Sequence, residues 1–203
     1  MSKQKRRRQP LVTRQSLLDA ALGRFQERGF QGTGLSELLR DTGLTKGAFY
    51  FHFPSKLALG YSLIEQERER FVDGWLAGFF ADDAHPVDQV CAMLDALAER
   101  ANDRSGRIGD FFGMLAYETS DWDEGFRERI EQVFTGWAGL IQGALEQGIE
   151  DELVHPDLDP GSFALQLLAA VQGAVLLGKI SANAAVVDAL LAGQQSQLEL
   201  YRL

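Results

Sequence analysis

The stretch "TGLTKGAFYFHFPSK", Thr42 to Lys56, sets five ring-bearing residues in a row: Phe49, Tyr50, Phe51, His52 and Phe53. Lys46 stands before the run, and Pro54, Ser55 and Lys56 close it. A core strand does not usually open with glycines such as Gly43 and Gly47, and an exposed loop does not carry five rings. A short helix resolves the conflict. On a helix, Phe49 and Phe53 lie near one face while Lys46 and Tyr50 share another. Phe49 is then the inward anchor against Leu22, Leu35 and Leu38, and Lys46, Gly47 and Tyr50 face solvent or a partner. Glycine inside a helix costs about 1 kcal/mol, unless another surface must approach the backbone closely.

Upstream, Leu17, Leu18, Ala21, Leu22 and Phe25 follow one helical face, between a cap at Thr13 and a stop at Gly29. A second short helix from about Thr33 to Gly43 buries Leu35, Leu38 and Leu39. Only Leu44 and the cap residue Thr45 separate it from the third helix. Two short helices joined by a tight, glycine-containing turn are the sequence form of a helix-turn-helix. Pro54 ends the third helix, because the residue before a proline is pushed out of the α region. Ser55 caps a fourth helix running from Lys56 to about Phe80.

Further helices are predicted over 86–102, 107–118, 123–148, 160–180 and 184–202, with breaks at 102–106 and 150–160. Asp159 and Pro160 form a cap and first turn. Strand signals are absent, so the fold class is all-α.

The net charge of −9 hides an asymmetry. Residues 1–56 hold 11 Lys/Arg against 4 Asp/Glu, and residues 57–203 hold 9 against 25. A basic module that meets a polyanion, attached to an acidic body that does not, has this signature. Lys3 to Arg8 supply five of the eleven, in a basic tail over 1–12 expected to be disordered. Three others fall in first turns: Arg14 after Thr13, Lys46 after Thr45 and Lys56 after Ser55. Cations there oppose the helix dipole, and phosphate relieves the conflict by meeting the cation and the free N–H groups together. Tyr50 and His52 add hydrogen bonds to phosphate oxygens, which position a protein on the duplex without reading sequence.

Other classes are disfavoured. Cys91 is the single cysteine, so an internal disulfide framework is excluded. No apolar run reaches the roughly 20 residues of a membrane span, and no apolar stretch follows the basic N-terminus as in a secretory signal; a cytoplasmic protein is expected. The three histidines are scattered, without metal-ligand spacing. G-x-S-x-G, Walker A, H-E-x-x-H and dinucleotide fingerprints are missing, so neither enzyme nor cofactor is expected.

The run from Thr13 to about Leu59, with "ALGRFQERGFQGTGLSELLRDTGLTKGAFYFHFPSKLAL" inside it, resembles the DNA-binding domain of the TetR family of transcriptional regulators. The resemblance implies a three-helix DNA-binding domain over 13–56 and a six-helix effector-binding and dimerisation domain over 57–203. It also implies a homodimeric repressor, released from a palindromic double-stranded DNA operator by a small-molecule effector. Thr33, Tyr50, His52 and Lys56 match the family's phosphate contacts. Thr45, Lys46, Gly47 and Ala48 begin the recognition helix, where base edges are read, and Lys46 is the long side chain suited to guanine O6/N7. Gly34 departs from the family's usual Thr or Ser, and Leu39 from its common Ala.

For the effector, Trp75, Phe79, Phe111, Met114, Tyr117, Trp122, Phe134 and Trp137 as a set fit an apolar or aromatic molecule, although aromatics at helical spacing are more often ordinary core packing. Asp110 and Glu118 either pair with a cationic ligand or cap a helix face. Cys91, among Val90, Met93 and Leu94, is either an inert core thiol or a sensor. "FALQLLAAVQGAVLLGKI" is apolar nearly all round and must be covered on all sides, as a central core helix or by a second subunit; a homodimer through the last two helices is expected. The rival reading is a helical interaction module whose basic tail alone binds nucleic acid.

Overall fold

A computed structural model describes residues 3–102 and 108–203, with side chains for 13–101 and 111–203. The side chains of Lys3 to Arg8 and of Asp110, and most of the expected break at 102–106, lie outside the described residues. The helices are α1 (Lys3–Arg28), α2 (Leu35–Thr42), α3 (Lys46–His52), α4 (Lys56–Arg68), α5 (Pro86–Asn102), α6 (Ile108–Thr119), α7 (Glu124–Glu150), α8 (Pro160–Ser181) and α9 (Ala184–Glu199). Among the described residues there is no strand, only an isolated antiparallel bridge between Val154 and Arg202. The all-α class is as predicted.

α1 starts at Lys3, well before the expected cap at Thr13. The segment assigned to a disordered tail therefore continues the helix, consistent with the high helix propensity of its Lys, Gln and Arg residues. The fourth helix also departs from expectation. After α4 the chain widens into a π-helical segment, Glu69–Leu76, and tightens into a 3₁₀ turn, Ala77–Phe80. Gly74 suits the widened turn, since a Cβ there would stand 3.3 Å from the Glu69 carbonyl oxygen. The change of pitch keeps Phe71, Val72 and Leu76 buried.

The chain forms two compact units. The first comprises Met1–Glu67 and Met114–Ile130, the second Arg68–Gly113 and Glu131–Leu203. The first unit extends past Lys56, because most of α4 and the 114–130 segment pack with the first three helices. Rings hold them there. Phe126 meets Phe30 at 4.8 Å and Tyr61 at 5.1 Å between ring centroids, both edge to face. Gly60 admits them: a Cβ on it would lie 2.6 Å from Phe126 Cζ and 3.1 Å from Phe30 Cε2.

In the second unit α9 packs on α5 and α8. Asp159 caps α8, accepting from Ser162 N at 3.1 Å, with Pro160 following. Asn183 caps α9 through Ala185 N at 3.1 Å. α9 ends at Glu199 rather than near 202, because the last residues pair with the 153–155 loop: His155 N donates to Tyr201 O at 2.8 Å and Leu203 N to Leu153 O at 3.0 Å. α8, by length and composition, would suffice to cross a membrane. Phe163, Leu167, Val171 and Ala174 are buried, while Leu165, Leu176, Leu177 and Ile180 are exposed. Its apolar circumference is only partly covered by its own chain.

Candidate nucleic-acid interface

Each end of α3 is set by local chemistry. Thr45, in extended conformation, is the N-cap, and its Oγ1 accepts from Ala48 N at 3.2 Å. Phe53, extended before Pro54, ends the helix. Phe49 and Phe53 are buried, as the spacing predicted. The opposite face carries Lys46, Gly47 and Tyr50, all exposed, and no acidic residue occupies the first turn. Tyr50 stands edge-on to the buried Phe49 ring at 5.3 Å, so an exposed side chain is braced by the core. Ala48 and His52 are half-buried at the flanks.

Phe51 is the residue that sequence reasoning missed. It is 76% exposed, more than Tyr50 at 55%, and packs edge-on against His52 at 5.0 Å. Its position two after the inward Phe49 placed it on the outer face, a signal hidden by its neighbours' apolar character.

Two of the expected phosphate contacts, Thr33 and Lys56, make hydrogen bonds within their own chain. Thr33 is fully buried, and its Oγ1 donates to Gly29 O at 2.8 Å. Lys56 Nζ donates to Phe30 O at 2.9 Å and Thr33 O at 3.0 Å, and sits 4.2 Å from the Phe30 ring centroid. Burial pushes the Lys56 pKa down, against the opposing charge of Glu118. Both residues brace the turn between α1 and α2. Arg14, well inside α1, lies 5.1 Å over the Phe53 ring and not at a helix start.

Glu118 completes this brace. Its carboxylate accepts from Phe30 N at 2.7 Å and Gln31 N at 2.6 Å, so it is committed to the backbone and not aimed at a cationic ligand. Gly29 is left-handed at φ +75°, and a Cβ there would meet Glu118 Oε2 at 2.6 Å. α2 is tied to α1 by Arg24, whose Nε and Nη2 lie 2.6 and 2.9 Å from the two Asp41 oxygens. That hydrogen-bonded guanidinium holds the Asp41 carboxyl below its ordinary range. Gly34 caps α2 without a side chain, and Glu37 reaches back to accept from Gly34 N at 3.1 Å, which lowers its pKa in turn.

The expected effector residues divide between the units. Trp75, Phe79, Phe111, Phe134 and Trp137 belong to the second. Trp75 stacks on Phe71 at 5.5 Å and meets Phe79 edge-on at 5.1 Å; Arg100 covers it at 4.5 Å. Phe111 is buried beside Phe112. Met114, Tyr117 and Trp122 belong to the first unit. Tyr117 is 91% exposed, while Trp122 packs beside Phe30 and donates to Glu118 O at 2.6 Å. The end of α6 and the start of α7, which carry these three, pack with the helix-turn-helix.

Burial, reinforced by Glu199 and Asp95, pushes the Cys91 thiol up to about 11, which disfavours the reactive thiolate. Among the described residues no group of three or more His, Cys, Asp or Glu side chains could hold a metal ion.

A basic helix-turn-helix with an outward second helix, in a chain whose larger unit is all helix, defines a DNA-binding transcriptional regulator. Residues 17–59 match the model for bacterial regulatory proteins of the tetR family, and residues 86–193 match the tetracyclin repressor-like C-terminal domain. The chain belongs to the TetR family of transcriptional regulators. It is 28% identical over 183 residues to the HTH-type transcriptional repressor DhaR of Mycobacterium sp. strain GP1, covering 88% of each chain. It is 29% identical over 169 residues to the HTH-type transcriptional repressor NemR of Escherichia coli K12, covering 83% of this chain and 85% of NemR. The crystal structure of a TetR regulator from Chloroflexus aurantiacus J-10-FL superposes with a TM-score of 0.86 at 28% identity, over 97% of this chain and 99% of that one. Family members bind DNA operators and small-molecule effectors and form dimers. The protein is a regulator and not an enzyme. The rival reading, in which only a basic tail binds nucleic acid, gives way to the family match over 17–59.

Proposed function

We propose that the protein is a homodimeric repressor that holds a palindromic operator and is released from it by a small molecule bound in the second unit. The outward row on α3 carries the reading: Lys46, Gly47, Tyr50 and Phe51 are exposed on one short helix whose other face is core. Tyr50 and His52 contact phosphate oxygens. Lys46 reaches base edges, with Thr45, Gly47 and Ala48 leaving room for close approach. Phe51 supplies apolar contact of the kind a thymine methyl accepts.

Two such helices must stand about one helical turn of DNA apart, or a multiple of it, to engage both half-sites. The second copy covers the exposed Leu165, Leu176, Leu177 and Ile180 of α8 and Leu190 of α9. Effector binding beside Trp75, Phe79, Phe111, Phe134 and Trp137 shifts the dimer away from that spacing, with a coupling of about 1–3 kcal/mol typical of such linked sites. The relatives DhaR and NemR are named repressors, which supports the sign of regulation.

Footprinting on the DNA flanking its own gene, paired with sedimentation of wild type and a Leu176→Glu, Ile180→Glu double variant, tests this. A dimer protecting two symmetric half-sites is expected, with the variant monomeric and weakly bound. A wild type that sediments as a monomer and protects a single half-site contradicts it.

A further inference from the structure

Among the described residues, three buried side-chain nitrogens of the second unit have no hydrogen-bond partner, and Trp137 and Gln172 carry two of them. Trp137 Nε1 and Gln172 Nε2 are both shielded from solvent without an acceptor. Trp137 is only 1% exposed, and a buried indole N–H ordinarily finds a partner. A third such atom, His85 Nε2, belongs instead to the turn before α5, where His85 Nδ1 accepts from Val87 N at 3.2 Å.

Trp137 belongs to an aromatic group, and Gln172 reaches the helix that carries part of it. Trp137 on α7 stands edge-on to Phe71 at 5.2 Å, and Phe71 lies 6.1 Å from Phe112 on α6. At the next residue, Gly113, an added Cβ would meet Gln172 Oε1 at 2.5 Å, so the missing side chain leaves room for the amide from α8. Rings on three elements supply apolar surface, and two donors supply direction. Small-molecule sites have this composition: mostly apolar, with a few placed polar groups. A core selected for stability alone gains nothing from an unpaired N–H, because desolvating it without a partner is unfavourable.

We propose that Trp137 and Gln172 are the polar anchors of the effector site, and that the effector is an apolar ring compound bearing a carbonyl oxygen to which they donate. This rests on the second unit being the effector-binding body. A hydrocarbon of the same shape fills the site but leaves the donors unpaired, so selectivity follows the acceptor and not the bulk.

The test uses the full chain and two probes of like shape, 2-acetylnaphthalene and 2-isopropylnaphthalene. Equilibrium dialysis compares wild type, Trp137→Phe and Gln172→Leu, and thermal unfolding compares wild type with Gln172→Leu. The expected result is at least a tenfold preference for the ketone in wild type, reduced in each variant. Gln172→Leu, close in volume and free of the unpaired amide, should unfold at the same or a higher temperature. Equal binding of the two probes by wild type, binding of neither, or a preference untouched by both substitutions would overturn the proposal. So would a lowered Tm for Gln172→Leu, which would make the amide structural. Operator binding without probe is read on the same wild type. Its absence defeats the regulator reading, whereas its presence with indifferent probe binding defeats only this proposal.

Discussion

Glu118 and Lys56 grip the same peptide group. Glu118 Oε1 accepts from Gln31 N at 2.6 Å, and Lys56 Nζ donates to the Phe30 carbonyl at 2.9 Å. Glu118 extends the grip to Phe30 N at 2.7 Å and Lys56 to Thr33 O at 3.0 Å. The turn that sets α2 against α1 is therefore held by a cation from α4 and a carboxylate from α6. Glu118→Gln leaves one oxygen facing two amide donors. Hydrogen bonds to charged groups contribute about 1.5–3 kcal/mol each, so urea unfolding should show a loss in that range. Operator affinity should fall although Glu118 lies on no DNA-facing helix. Unchanged stability would show that the grip is incidental.

Gly47 separates folding from binding. A Cβ there would meet only Thr45 Oγ1, at 3.9 Å, so the protein itself has room for alanine. Gly47→Ala should raise stability by up to about 1 kcal/mol through helix propensity. It should weaken operator binding, because the methyl enters the space between backbone and groove. Thermal unfolding and anisotropy on the same preparation check the opposite signs.

Gly60 has no such room. Its Cβ would lie 2.6 Å from Phe126 Cζ, at a ring packed among Phe30 and Tyr61. Gly60→Ala should cost about 1–3 kcal/mol, the usual range for overpacking, measured by denaturant unfolding. A neutral result would show that the ring cluster yields easily.

Acid should loosen the helix-turn-helix. The Arg24 guanidinium holds the Asp41 carboxyl below its ordinary range, and the Gly34 amide does the same for Glu37. Groups depressed in the folded state contribute stability that is full above their unfolded pKa of about 4 and lost as pH falls through the folded value. Stability should therefore decline below about pH 4, and Asp41→Asn should flatten that limb. A wild-type profile that the substitution leaves unaltered would exclude Asp41 as a contributor.

Helices closed by local chemistry were legible in the sequence. The cap at Thr45, the proline at 54 and the four-residue spacing of Phe49 and Phe53 placed α3 and its buried face, and Asp159 with Pro160 placed the start of α8. Features depending on residues far apart were not. Glu118 and Lys56 meet at a turn that neither one's neighbours reveal. The resemblance at Thr33 does not reveal that its hydroxyl donates to Gly29 O. The outward position of Phe51 is hidden in the sequence, because an apolar ring is expected inside. Residue type, which places Tyr117, Trp122 and Trp137 in one set, carries no information about the compact unit each joins.

The most direct test of DNA recognition by α3 is anisotropy on the DNA flanking its own gene, over a salt series, for wild type, Tyr50→Ala and a chain lacking residues 1–10. Wild type should bind one fragment tightly, with a steep salt dependence. Tyr50→Ala, which removes no cation, should weaken binding at every salt concentration with the slope nearly unchanged, while the truncation should weaken it only modestly. Equal, weak binding of wild type and Tyr50→Ala to any DNA, abolished by the truncation, would contradict the account.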